Sequence, residues 1–513
     1  MNQHNEQLRA HYEAAPYASH AYFHASPEHI AATAMLLGAE PPPPETARVL
    51  EIGCSSGGNI IPFALRNPRA QAVGFDLSGS HIRRGQQAVA ALGLRNMSLR
   101  EDDLASVTRE EYGEFDYIVC HGVLSWIPDA ARAEAWRVCR SLLAPNGIAY
   151  ISYNTYPGWK AKEIMRDAML LHARDQADAA GKLTYARSMV GYLRHVAPAD
   201  SLLRKVVEDN IYILSRTGAD YLAHDYLEPF NRPFYLRDFV DEAGAASMRY
   251  LGEADLGRMF PEGYAADVVA PLQDLASDPV MLGQYLDFAV NRSFRQSLLF
   301  RDGGVAAPGY RRGDGSRLSR LHLSAQLPCR DGAVRLDGST QAFGVEGGVS
   351  LQLRHPLAKL AAQEIDRAWP GTIAHSALVQ AVAAHGAAGG DERLAATVVN
   401  EIVEFLVIRG LARYRLEPVA LRPTWGEAPM VDACVRASLA AGAEEQVVTS
   451  RWHEGVDIDA LDRALYPHLD GRTGIDALQR TWQRLQDETG APGDGSTLEA
   501  RLDAAARRGL LAG

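Results

Sequence analysis

Carboxylates and glycines fall at the ends of short apolar runs in the first 120 residues of the chain. Val49-Leu50-Glu51-Ile52 carries one acid and then breaks into Gly53-Cys54-Ser55-Ser56-Gly57-Gly58-Asn59. Ala72-Val73-Gly74-Phe75 ends in Asp76, 25 residues after Glu51. Met97-Ser98-Leu99-Arg100-Glu101 ends in Asp102-Asp103, and the run from Phe115 to Cys120 ends in His121. Glycines at 53, 57 and 58 allow positive φ and let a ligand touch the main chain. A helix beginning at such a loop offers its N-terminus to a carboxylate or phosphate. A carboxylate closing the second run can accept hydrogen bonds from both hydroxyls of a ribose. The loop reads E-x-G-x-x-x-G-G, and this spacing differs from the dinucleotide fingerprint G-x-G-x-x-G.

These residues need strands to end where they stand. Each apolar run is short enough for a buried parallel strand, and helical periodicity follows, as in Ile60, Ile61, Phe63 and Ala64. The order is strand, Gly-rich turn, helix, then strands near 72–76, 97–101, 115–120 and 148–153, the last preceded by the turn Pro145-Asn146-Gly147. This predicts an α/β, Rossmann-like doubly wound sheet with ligands at the carboxyl ends of its strands. A helical cap is expected over 1–45, with a helix from Pro27, a favoured first helical residue, and a stiff linker at Pro41–Pro44. The core is placed at 46–173. A helical insertion is placed at 174–300 with a return strand near 247–254, and a Gly/Arg-rich linker at 301–320. Helix, helix, strand in that order predicts a smaller winged-helix-like α+β region over 321–420. The remainder, 421–513, reads as helical.

The 513 residues suggest about three domains. A formal net charge of −11 argues against a general nucleic-acid or anionic-membrane binder. Five scattered cysteines with no C-x-x-C pair read as reduced thiols, neither a disulfide framework nor a metal site. No basic, apolar leader begins the chain and no run of about 18 apolar residues occurs, so a cytoplasmic location without membrane insertion is expected. His453-Glu454 lacks the second histidine of H-E-x-x-H, and no metal ligand set is expected. His20, His24 and His29 read as surface or packing residues.

Residues 49–59, with the acids that follow at the expected intervals, resemble motif I to motif III of class I S-adenosylmethionine-dependent methyltransferases. The resemblance implies that Glu51 lies beside the methionine end of S-adenosyl-L-methionine, with Gly53, Cys54, Gly57 and Asn59 forming the loop around it. Asp76 and Leu77 then meet the ribose, Asp103 (or Asp102) the adenine amino group, and His121 the cofactor from the fourth strand. Further blocks narrow the family: Ser152 to Trp159, His224 to Tyr235, and Tyr285 to Leu299. They resemble bacterial methyltransferases with a methyltransferase regulatory domain, among them rickettsial protein-lysine methyltransferases. The similarity runs from about Tyr12 to Leu299 and is weaker beyond; those relatives suggest a homodimer.

An in-line methyl transfer needs a nucleophile about 3 Å from the methyl, and a lysine acceptor must be neutral to attack. Flat aromatic walls desolvate an ammonium and attract it through cation–π contact. Tyr17, Trp126, Asn154 and Trp159 are therefore expected to form the acceptor pocket, and Tyr153, Tyr156 and His121 are the candidate catalytic residues. Among Tyr12, Tyr17 and Tyr22, one could cap the adenosyl group. Arg232, Arg292 and Arg295 are expected to be structural ion pairs or carbonyl clamps. The expected activity is methyl transfer to a protein side chain, with the lysine amine favoured. The alternatives are a small-molecule methyltransferase with a regulatory or dimerising extension, and a non-catalytic cofactor-binding scaffold.

Overall fold

The computed structural model describes residues 19–176, 178–216, 226–261, 266–276, 278–301, 309–345, 347–386, 389–440, 447–489 and 497–512. Its centre is a seven-stranded sheet in the order β3-β2-β1-β4-β5-β7-β6. The strands are β1 (Arg48–Ile52), β2 (Gln71–Asp76), β3 (Met97–Glu101), β4 (Phe115–Cys120), β5 (Leu143–Asn154), β6 (Met248–Glu253) and β7 (Phe294–Arg301). The first five run parallel, and β7 lies antiparallel to both β5 and β6. The strand order reverses between β1 and β4, and a topological switch point of this kind opens a ligand crevice at the carboxyl ends.

Burial on both faces explains the near-continuous apolar runs. Val49, Tyr117, Val119, Ile148 and Tyr150 join one core with the helix Pro27–Leu36. Leu50, Ile52, Ile118, Cys120, Ile151 and Tyr153 join the other. Apolar contacts alone do not close the far edge. Arg295 on β7, 1% exposed, pairs with Glu253 of β6 at 2.7 Å and Asp287 at 2.8 Å. Arg292 pairs with the same Asp287, and Arg232 with Glu242 and Asp129. All three arginines are in ion pairs, as expected.

β7 is an element that the sequence pattern does not show: most of it, 294–299, falls inside the aromatic block Tyr285 to Leu299, and its last residue in the expected linker. Its buried Arg295 and Ser297, with the half-buried Gln296 between them, interrupt the apolar pattern that marks a strand. The expected linker at 301–320 is partly outside the described residues; within the rest, Leu318 is buried and Arg317 donates to the Leu36 carbonyl at 3.1 Å.

Beyond the sheet, helices Pro356–Ala368, His375–Ala384 and Glu392–Ile408 pack on a three-stranded sheet, β11-β8-β12. Its strands are β8 (His322–Ser324), β11 (Ile373–Ala374) and β12 (Arg413–Arg415); a hairpin of β9 (Gln341–Phe343) and β10 (Leu351–Leu353) lies beside them. The last segment has its own core around Trp482, Tyr466 and Leu498. It also has a hairpin of β13 (Val447–Thr449) and β14 (Gly455–Asp457). Among the described residues no helix is long and apolar enough to cross a membrane, and the five cysteines are free thiols.

Candidate functional site

The turn after β1 is built as its glycines require. Gly53 has φ +69° and Gly57 φ +85°. A Cβ on Gly53 would stand 2.5 Å from Val123 Cγ2, so the loop packs against the turn after β4 with no space for a side chain. Glu51 is 4% exposed, and its Oε1 accepts a 2.8 Å hydrogen bond from Asn59 Nδ2. Among the described residues its Oε2 has no partner although it is buried. Burial and the nearby Asp76 push the Glu51 carboxyl up to about 8, against the lowering effect of Asn59. A buried acid oxygen without a donor fits a cationic amino group, and such a group would restore the carboxylate.

Asp76 ends β2 with both oxygens engaged: Oδ2 accepts from the Ser55 amide and Oδ1 from the Ser78 amide, each at 2.9 Å. It clamps the glycine loop to the start of the helix Gly79–Ala91, and a carboxylate retains lone pairs for hydroxyl donors. Leu77 is the half-buried residue after it. At the end of β3, Asp102 accepts from the Tyr112 hydroxyl and from Ser106 Oγ. Asp103 Oδ1 accepts from the Ala105 amide at 3.1 Å. Cys54 is buried against β2, where a Cβ on Gly74 would stand 2.8 Å from its sulfur. Burial pushes its thiol well above the usual range.

A segment N-terminal to the sheet crosses this crevice. Ser19 Oγ accepts from the Gly58 amide at 2.8 Å, and a Cβ on Gly58 would stand 2.0 Å from the Ser19 carbonyl oxygen. The Tyr22 amide donates to Asn59 Oδ1 at 3.1 Å, and its ring stacks on His121 at 3.8 Å. Of the three tyrosines considered as a cap, Tyr22 lies at the crevice; Tyr12 and Tyr17 are outside the described residues.

His121 sits at the end of β4, but its proton chemistry is that of a wall. The Gln296 amide donates to the Tyr150 hydroxyl at 2.9 Å, and that hydroxyl lies 2.8 Å from His121 Nδ1. Nδ1 is thus engaged with Tyr150 within a chain of hydrogen bonds that runs to Gln296. Burial and the neighbouring His20 and His24 hold its pKa at about 3. Such an imidazole cannot take a proton from an ammonium of pKa near 10.4.

The other two catalytic candidates also fail as bases. Tyr153 is 1% exposed, stacked on Phe239 at 3.9 Å with its hydroxyl 3.1 Å from Ser297 Oγ; alternation along β5 turns it into the core. Tyr156 donates to Glu163 at 2.6 Å, and burial with that carboxylate raises its pKa. Of the expected acceptor residues, Trp126 and Trp159 meet edge to face at 5.7 Å, and Asn154 Nδ2 donates to Asn231 Oδ1 at 2.9 Å. Trp159 is 2% exposed and packs behind Trp126, so it backs the loop instead of lining a surface.

The aromatic blocks do converge. Phe234 exchanges backbone bonds with Asn154 and Tyr156, and the Thr155 and Gly158 amides donate to the Ser293 and Arg292 carbonyls. His224 and Asp225 lie outside the described residues. Among the described residues no cluster of three His, Cys, Asp or Glu could bind a metal. Sequence reasoning missed Ser19 and His453. A serine hydroxyl carries no periodic signal, and His453, 394 residues from its partner Asn59, has no local pattern to betray it.

Three family models match the chain. A "Methyltransferase domain" matches residues 50–149, a "Predicted methyltransferase regulatory domain" matches 218–301, and "PKMT, C-terminal winged helix domain" matches 427–507. The last match lies C-terminal to the 321–420 segment in which a winged-helix-like region was expected. The uncharacterized protein RP789 of Rickettsia prowazekii is 36% identical over 289 residues, 56% of this chain and 52% of that protein. RP028 of the same organism is 33% identical over 237 residues, 45% of this chain and 93% of its own length. This chain thus spans about half the length of the first relative and nearly all of the second. PKMT2 from Rickettsia typhi, solved in complex with AdoHcy, has the same fold. Its TM-score is 0.85 with 23% identity, over 97% of this chain and all of that one.

Proposed function

We propose that this chain, which belongs to the S-adenosylmethionine-dependent methyltransferases of the rickettsial PKMT type, transfers a methyl group to a protein side chain, with lysine favoured. The observation that carries the reading is Glu51: a buried carboxyl with one oxygen lacking a donor, set at the end of β1 beside a positive-φ glycine loop. Bound there, S-adenosylmethionine supplies an electrophilic methyl on a sulfonium, so the protein has mainly to bind, align and exclude water. Glu51 would take its amino group, Asp76 its ribose, Asp102 or Asp103 its adenine, and Tyr22 with His121 would cover the reacting end.

A cavity of about 320 Å³ opens beside Tyr22 and is also lined by Gln296, Glu454 and Asp457. Glu454 already pairs with Arg413 at 2.6 Å, so Asp457 beside the flat Tyr22 ring is the feature that suits a cationic side chain and supports lysine over an anionic metabolite. With no base among Tyr153, Tyr156 and His121, the amine proton leaves to solvent as the side chain is desolvated.

Calorimetric titration with S-adenosylmethionine on the intact chain, Gly53→Arg and Asp76→Ala tests the site. Radiolabelled transfer to lysate proteins, followed by mapping of the methylated residue, tests the acceptor. Binding that both substitutions abolish and label on lysine agree with the proposal. No binding by the intact chain, or label confined to small molecules, overturns it.

A further inference from the structure

The turn joining β13 to β14 comes from the segment matched by the C-terminal family model, yet it ends inside the crevice around Glu51. His453 at its tip is fully buried and holds φ +65°, a conformation that a side chain adopts at a cost unless its surroundings demand it. Both ring nitrogens are used. Arg66 Nη2 lies 2.9 Å from Nδ1, and Nε2 lies 2.8 Å from Asn59 Oδ1. A guanidinium can only donate, so Nδ1 accepts and Nε2 carries the proton. Nε2–H therefore donates to Asn59 Oδ1, which also receives the Tyr22 amide. That fixes the amide with its oxygen outward and its Nδ2–H on Glu51 Oε1. A polar relay runs from Arg66 through His453 and Asn59 to Glu51. Trp452 anchors the turn: it is fully buried and donates to the Pro370 carbonyl at 2.9 Å, while Arg415 binds the Trp452 carbonyl at 3.1 Å.

We infer that His453 is a positioning residue of the cofactor site, supplied by the C-terminal segment, which sets the Asn59 amide and through it the free oxygen of Glu51. This rests on the reading of Glu51 as the contact for the cofactor's amino group. The C-terminal segment then completes the catalytic domain, in addition to any role in meeting an acceptor.

The test is a double-mutant cycle on the full chain, with Kd for S-adenosylmethionine read by calorimetry and KM and kcat by methyl transfer. His453→Ala removes both hydrogen bonds. His453→Asn keeps a residue type tolerant of positive φ but is too short to reach Asn59. His453→Gln offers a carbonyl to Arg66 and an amide N–H to Asn59. The expected result is about tenfold weaker binding for Ala and Asn and recovery to within about threefold for Gln. The effect should lie in KM for the cofactor, with KM for the acceptor unmoved. In an Asn59→Ala background the His453→Ala change should cost less than about twofold, because its effect passes through that amide. Unchanged binding by His453→Ala, an equal loss in both backgrounds, or a Gln variant as weak as Asn overturns the inference. If the Ala variant does not fold, the Asn and Gln pair gives the same comparison. A wild-type chain that binds no cofactor overturns the site reading itself and this inference with it; binding by wild type without loss in the variants overturns the inference alone.

Discussion

Replacing Glu51 by Gln should change how cofactor binding responds to pH, in a way the geometry lets one calculate. The Glu51 carboxyl sits at about 8 in the free protein, so at pH 7 it is about nine-tenths protonated. A cationic amino group on Oε2 favours the ionised form, and binding then expels about 0.9 proton from Glu51 at pH 7, whereas at pH 9 Glu51 gives up only about 0.1 and the ligand's amino group takes one up, so the net count reverses sign. Because binding selects the ionised form, affinity should rise about tenfold per pH unit below 8. Above about 8 it should fall as the ligand's own amino group deprotonates. A hydrogen bond to a charged group contributes roughly 1.5–3 kcal/mol. Subtracting about 1.4 kcal/mol for ionising Glu51 at pH 7 leaves about 1 kcal/mol, a roughly fivefold loss for Glu51→Gln, growing to roughly twentyfold at pH 8. The sign for stability is opposite. A carboxyl whose folded pKa is raised loses stability as pH climbs from 4.5 to about 8, and the Gln variant should be about 3 kcal/mol more stable than wild type at pH 7 without cofactor. Calorimetry in two buffers of different ionisation enthalpy reads the proton count, and thermal melts read stability. Buffer-independent heats at pH 7, or a Gln variant with the same pH slope as wild type, would refute the reasoning.

Gly58→Ala places a Cβ where the Ser19 carbonyl stands. The segment around Ser19 should lift from the glycine loop at a cost of roughly 1–3 kcal/mol, and limited proteolysis near residue 20 should accelerate by about tenfold; an unchanged cleavage rate would show that this segment does not lie against the loop. Tyr153→Phe removes a buried hydroxyl bonded to Ser297. It should cost about 1 kcal/mol in denaturant unfolding and leave turnover within about twofold, whereas a hundredfold loss of turnover would return Tyr153 to the catalytic group.

Much of this arrangement is legible along the chain because the parallel core is locally encoded. β1 to β5 each combine an apolar run with a polar residue at the carboxyl end, so Glu51, Asp76, Asp102, Asp103 and His121 could be placed before any coordinates. What the residues do once placed was less accessible. The alternation that buries Tyr153 depends on which face of β5 meets Phe239, and His121 loses its basicity to burial and to two other histidines, His20 and His24. β7 escaped because buried polar residues, Arg295 and Ser297, stand where the apolar run of a central strand would begin, ahead of the buried Leu298, Leu299 and Phe300. Long-range partners such as Arg66 and His453 leave no trace in a window of neighbouring residues.

The sheet leaves at Asn154 and resumes beside itself only at Phe294, where β7 pairs with β5 from Ala149↔Leu299 to Asn154↔Phe294. During synthesis the outer edge of β5 must therefore wait for a long excursion to emerge before its amides and carbonyls find partners. Until then a strand rich in Ile and Tyr presents an open edge, the arrangement most prone to pair with another copy. A fragment cut at the end of the parallel core, near residue 173, would keep that edge permanently. It should therefore precipitate or associate where the chain extended through Arg301 does not. Folding of this domain is in this sense gated by its own insertion: the part of the sequence that looks most like an addition is also the part that lets the sheet close.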